Sequence, residues 1–167
     1  MLKSIFALSF VMMFSLQSLA QEAQVFWSAE KLHESEQCLL QLVRTKMKVK
    51  TPADMFPRIR FETEVPFDEY QDAIEKWWGV RPEFFNNTYD VPNNTIYVTN
   101  NMRWYKSPRT PMDSLVHELA HFVQVRDLKI GDGDADHLEA QAIEVQTWFR
   151  ENRAQFIRDQ KYEGDCF

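Results

Sequence analysis

Two histidines four residues apart with a glutamate between them, His117-Glu118-Leu119-Ala120-His121, are the part of this chain best suited to chemistry. On an α-helix, four residues turn through about 400°, so the two imidazoles stand about 40° apart on one face. Both can then reach a single ion at about 2.0–2.1 Å, the usual bond length from zinc to an imidazole nitrogen. Glu118 stands beside such an ion rather than on it. There it can accept a proton from a metal-bound water, whose pKa zinc lowers toward about 7. The pattern predicts a Zn²⁺ site with His117 and His121 as ligands and Glu118 as general base, an arrangement suited to hydrolysis.

A catalytic zinc has three protein ligands and one open position. The third ligand is expected after His121, where Asp136, His137, Glu139 and Glu144 are available. Glu139 is favoured. It stands at the start of a helical segment, and its neighbours Ala140 and Ala142 are small enough to let two helices approach closely. His137 and Glu144 are the alternatives. Each also has a bland reading, since acids are common near helix N-termini. For the histidine pair the bland reading is a hydrogen-bonded buried pair. Two imidazoles and an acid on one buried stripe would, however, be costly to leave without partners.

These residues need elements to hold them. Thr110-Pro111-Met112-Asp113 is a strong helix start, with a capping threonine, a proline fit for the first turn and an acid at the positive helix end. That helix is expected over about 110–127, with Leu115, Val116, Leu119, Phe122 and Val123 as apolar partners. Residues 131–134, Gly-Asp-Gly-Asp, break the chain, and a last long helix is expected from near Asp136 to about Arg158. Upstream, Ser28 can cap a helix running to about Lys48, with Leu32, Leu39, Leu42, Val43 and Met47 on one face. Arg58–Phe61 alternates like a short strand. Phe67–Trp78 reads as a helix opened by Pro66 and stopped by Gly79. Residues 80–93 read as irregular, and 95–99 as a β-branched and aromatic strand. The order is helix, strand, helix, strand, helix, loop, helix, which is α+β: mostly helical, with a short sheet beside the helix that carries the motif.

Composition bounds the rest. The chain has 167 residues, room for one ordinary domain, and 14% aromatics, enough for a packed core. A lone lysine, an apolar run over 5–16 and the ending Ser18-Leu19-Ala20 predict a secretory leader cut after Ala20. The mature single domain would then be 21–167, secreted or periplasmic. Removing Lys3 takes the net charge from −6 to −7, which argues against nucleic acid as a partner. No segment of the mature chain is apolar enough to span a membrane as an integral helix. In an oxidising compartment Cys38 and Cys166 form a plausible disulfide. Asp132-Gly133-Asp134-Ala135-Asp136 resembles the start of a calcium loop but has His137 and Ile143 where that loop needs Gly and Glu, so a solvated loop is expected. Trp77-Trp78 and Phe84-Phe85 are expected in the core rather than along a groove.

The motif helix, the turn after it and Glu139-Ala140-Gln141-Ala142 on a second helix together resemble the gluzincin branch of the zincin metallopeptidases, over about residues 90–150. The segments His-Glu-Leu-Ala-His-Phe-Val-Gln and Glu-Ala-Gln-Ala-Ile-Glu-Val-Gln are also similar to small bacterial zincin-like domains of unassigned function. The resemblance implies a zincin-like fold, Zn²⁺ held by His117, His121 and Glu139, catalysis by Glu118 on a peptide or protein substrate, and strand 95–99 as the edge strand flanking the cleft. One departure is visible. Where many gluzincins have an acid four residues after the glutamate ligand, to orient a zinc-bound histidine, this chain has Ile143; Glu144 or Gln146 are the substitutes at hand. Tyr97, Tyr105, Arg126 and His137 are candidates for steadying an oxyanion. A secreted zinc hydrolase leads the expectations. A non-catalytic zincin-like domain that keeps its metal is the alternative, and a metal-free helical binding protein comes third.

Overall fold

The structure, a computed structural model, describes residues 27–131 and 135–159, with side chains to residue 153. The expected leader, Cys166 and the Asp132-Gly133-Asp134 loop lie outside the described residues. The described residues form four α-helices and a three-stranded sheet: α1 (Ala29–Lys46), β1 (Arg58–Phe61), α2 (Phe67–Trp78), β2 (Thr88–Asp90), β3 (Thr95–Val98), α3 (Pro111–Phe122) and α4 (Ala135–Asp159). It is a mixed, largely helical fold with a small sheet. Among the described residues no helix is long and apolar enough to cross a membrane.

The strand order is β1-β3-β2, with β1 parallel and β2 antiparallel to β3. This corrects two expectations. The run 95–99 does form a strand, but it is the central one, not an edge. The edge beside the motif helix is β2, inside a stretch that reads as irregular. Asn and Pro flank β2 closely, and three residues carry no period of their own. The strand exists because Thr88, Tyr89 and Asp90 pair with Tyr97, Ile96 and Thr95.

Alternation along β3 divides the interior in two. Ile96 and Val98 join Ile59 and Phe61 of β1 in the main core with α1, α3 and α4. Tyr97 points the other way, into a smaller cluster with Tyr70 and Ile74 of α2, Val65 and Phe85. Tyr70 stacks on Phe85 with ring centroids 4.2 Å apart, and its hydroxyl exchanges hydrogen bonds with the backbone of Asn86. Gly79, at φ 71°, ends α2 in the left-handed conformation that glycine adopts without strain. Phe85 is therefore core, as expected. Trp77, Trp78 and Phe84 are exposed instead, so core packing explains only one of the four aromatics.

α3 is the central helix, packed against α1, α4, β2 and β3. Its buried positions run almost all the way round, from Met112 to Phe122. The N-terminus is held by a capping box in which the Asp113 carboxylate accepts from the Thr110 backbone N–H (2.6 Å) and hydroxyl (2.8 Å). Arg153 of α4 donates to the same hydroxyl at 3.0 Å. Thr110→Ala is expected to lower stability by about 1 kcal/mol, read as a shift in urea midpoint. An unchanged midpoint would mean that this hydroxyl contributes nothing to holding the helix.

The expected continuous helix over 110–127 changes character after Phe122. Val123–Asp127 form a π-helical turn, closed by the Leu128 N–H donating to the Val123 carbonyl at 2.9 Å. Two ties hold it. The Asp127 carboxylate accepts from the Arg44 guanidinium of α1 (2.8 and 3.2 Å) and from the Ala53 N–H (2.7 Å). Arg126 donates to the Tyr89 hydroxyl (2.9 Å) and the Val91 carbonyl (2.6 Å), anchoring the turn to β2.

Candidate metal centre

His117 and His121 stand one turn apart on α3, and Glu139 reaches them from the first turns of α4. The two Nε2 atoms are 3.1 Å apart, and Glu139 Oε2 lies 3.5 Å from that of His117 and 3.3 Å from that of His121. Three donors at about 2.05 Å from a tetrahedral ion must be about 3.3 Å from one another. The triangle formed by this chain's atoms has edges close to that value. Two imidazoles and a carboxylate also form a donor set suited to zinc. These are the three ligands favoured from the sequence, and among the described residues they form the one His/Cys/Asp/Glu group tight enough to hold an ion.

The alternatives stand elsewhere. His137 is exposed and outside the group. Glu144 is exposed and pairs with Lys46 of α1 at 3.0 Å. Asp136 is exposed as well. Gln146, a candidate orienting residue, donates to the Asp113 carbonyl at 3.1 Å and so ties α4 to α3.

The residue placed to orient His121 is Gln124, which the sequence did not single out. Its Oε1 lies 2.9 Å from His121 Nδ1, where it accepts that N–H and leaves the Nε2 lone pair facing the triad. Its Nε2 donates to the Leu138 carbonyl (2.8 Å) and to Gln141 Oε1 (3.0 Å) on either side of Glu139. One fully buried amide thus fixes both a histidine and the helix that brings the carboxylate. Gln124 lies three residues past His121, on the same helical face, so the pattern His-x-x-Gln was the available signal. Gln124→Leu is expected to weaken zinc binding by about 10–100-fold, measured by chelator competition. An affinity within two-fold of wild type, in a variant of native circular dichroism, would remove Gln124 from this role.

Glu118 is buried beside the triad. Burial, and then the like charge of Glu139, push its carboxyl up to about 8, against weaker stabilisation of the anion by the Tyr89 backbone N–H. Without a cation the site therefore holds a proton on Glu118 near neutrality. A dication at the triad favours the ionised carboxylate, the form a general base needs. His117 is shifted down, by burial first and by the neighbouring His121 second, so it stays neutral and ready to ligate.

His117, Glu118 and Glu139 face a cleft of about 520 Å³. Its other walls include Asn87 and Thr88 at the start of β2, and Trp78 and Ile143 as exposed apolar surface. No family model, curated protein or solved structure matches the chain.

The four oxyanion candidates do not converge on the cleft. Tyr97 is in the α2 cluster, and Arg126 is committed to Tyr89 and Val91. Tyr105 donates to the Thr99 carbonyl at 2.7 Å, its phenol pushed up to about 12 chiefly by burial. Polar donors that do line the cleft include Asn86, Asn87, Thr88, Arg109, Ser114 and Gln146. Ser114 lies three residues before His117 and four before Glu118, so helical periodicity alone places it on the same face.

Proposed function

We propose that the chain is a zinc-dependent hydrolase, most simply a peptidase, that uses His117, His121 and Glu139 as ligands and Glu118 as general base. The observation that carries this reading is the donor triangle with edges of 3.1, 3.3 and 3.5 Å, with a buried carboxyl next to it. A zinc ion held there would lower the pKa of a bound water toward about 7 and polarise the carbonyl to be cleaved. Glu118 accepts the proton of the attacking water and returns it to the leaving nitrogen. Gln124 keeps His121 in the tautomer whose Nε2 is free. The apolar surfaces of Trp78 and Ile143 receive side chains of an extended substrate.

The gluzincin likeness of the motif supports the same reading, and the leader-like residues 1–20 support an exported protein. A second reading, a zincin-like domain that binds metal without catalysis, is favoured by the shortness of β2. That edge strand has three residues, all buried, and offers a substrate chain little backbone to pair with. The two readings separate in a peptide-library digest by the zinc-loaded mature protein, with Glu118→Gln as control. Cleavage by the wild type alone supports the hydrolase. Zinc binding without any glutamate-dependent cleavage supports the second reading.

A further inference from the structure

A second concavity, of about 570 Å³, adjoins the cleft. It is lined by Trp104, Lys106, Ser107, Pro108, Arg109 and Arg150, and Arg109 borders both spaces. Three of the six residues are cations and none is an acid. In a chain of net charge −6 that is unusual. Elsewhere among the described residues Arg44, Arg60, Arg81 and Arg153 each lie against a carboxylate, while Arg58, Arg103 and Arg126 do not. Among the described residues, Lys106, Arg109 and Arg150 have no carboxylate within ion-pairing distance.

Arg150 is the most telling of the three. Its Nη2 donates to Thr147 Oγ1 at 3.2 Å, which fixes the guanidinium plane. Its Nη1 is shielded from solvent and has no hydrogen-bond partner. A buried guanidinium N–H without an acceptor is unfavourable unless something else supplies one. Arg153, one turn further along α4, donates to the Thr110 hydroxyl and lies 3.8 Å from the Asp113 carboxylate. With Nη2 already given to Thr147, Nη1 is the nitrogen left to make a charge-assisted hydrogen bond to an anion's oxygen.

We propose that this concavity is a carboxylate-binding subsite continuous with the catalytic cleft. It takes an acidic side chain or the C-terminal carboxylate of a peptide whose neighbouring residues lie in the cleft. Arg150 is the anchor, and Arg109 and Lys106 add charge at the rim. That the carboxylate belongs to a peptide rests on the peptidase reading; the anion site itself does not.

The test uses the full mature protein carrying Glu118→Gln, to prevent turnover, and three fluorescent peptides of one otherwise neutral sequence. One has an internal Asp and an amidated C-terminus, one has Asn and the amide, and one has Asn with a free C-terminus. Anisotropy titrations are run with zinc and after chelation. At least one carboxylate peptide is expected to bind about 10-fold or more tighter than the neutral one, and which of them does so identifies the source. The preference should survive chelation, weaken in high salt and disappear in Arg150→Met, with Arg109→Met as a second variant should the first fail to fold. Equal binding of all three peptides overturns the proposal, as does no binding of any. So does a preference that survives both substitutions, or one that vanishes on chelation, since the carboxylate is then on the metal. Failure of the peptidase reading shows separately, as absence of cleavage of these peptides by the zinc-loaded wild type.

Discussion

Glu118→Gln is expected to keep its zinc, lose about 10²–10⁴-fold in peptide hydrolysis, and yet be the more stable protein once the metal is removed. Both effects come from one carboxyl. In the metal-free fold its pKa is raised to about 8 from 4.5, chiefly by burial. Between those values the folded state binds more protons than the unfolded state, so this group makes stability fall as pH rises. Below about 4.5 the carboxyl is neutral in both states and the effect is absent. Above about 8 the loss is complete, at an upper limit of about 5 kcal/mol. Glutamine carries no charge and escapes the penalty. His117 acts in the opposite direction: its lowered pKa makes stability rise with pH up to about its ordinary value of 6.5. That contribution is common to both proteins, so the difference curve isolates Glu118. Urea midpoints of the chelated proteins should coincide near pH 4.5 and diverge by pH 9, with the variant higher. Coincident midpoints at pH 9 would remove Glu118 from its buried place.

The second large effect concerns the metal. One equivalent of zinc is expected to bind the mature chain. With free zinc about 1,000-fold above Kd, the fold gains about 4 kcal/mol, or roughly 8–16 °C in Tm for a domain of this size. Structural zinc sites with four ligands bind with about 10–16 kcal/mol in all. Deleting one ligand should therefore weaken binding by about 10²–10³-fold. Glu139 is the best position for this test. Its side chain is 52% exposed, against 14% for His117 and 23% for His121, so Glu139→Gln removes a ligand with little direct effect on packing. The same substitution removes a like charge from beside Glu118. The carboxyl of Glu118 should then move down in the metal-free protein, as the pH dependence of stability would show. Zinc titration by calorimetry checks the stoichiometry and both affinities. Wild-type affinity in Glu139→Gln would place the third ligand elsewhere.

What the sequence disclosed, and what it did not, follows from where the information lies. α3 was legible because cap, proline, acid and apolar spacing agree over one short stretch, and because two imidazoles four apart on a helix have one geometry. Glu139 was legible for a partly correct reason. Of the two small neighbours, Ala142 is fully buried in the main core, while Ala140 faces solvent. β2 was not legible, since its pairing partners are remote and its own residues resemble a loop. Nor was the π-helical turn. The pattern through Phe122 and Val123 continues a helix smoothly, and the change comes from Arg126 and Asp127 reaching β2 and α1. Gln124 was overlooked because the familiar motif stops at His121, although the residue three further on lies on the same face. The donors lining the cleft come from three stretches of the chain, around 86–88, 109–114 and 146, and tertiary packing brings these stretches to one cleft.

The Gln124 amide has a consequence for how such a protein lives with a scarce metal. Its two bonds to α4 place Leu138 and Gln141, and Glu139 between them, without help from an ion. If zinc fills the triad as proposed, its loss would leave this frame standing, and slow hydrogen exchange of the backbone amides there is expected to persist without the metal. Re-entry of the ion requires no refolding and little ordering entropy. Under the proposed zinc chemistry, such a frame would keep the metal-free protein receptive, and activity would follow metal supply rather than synthesis of new chain.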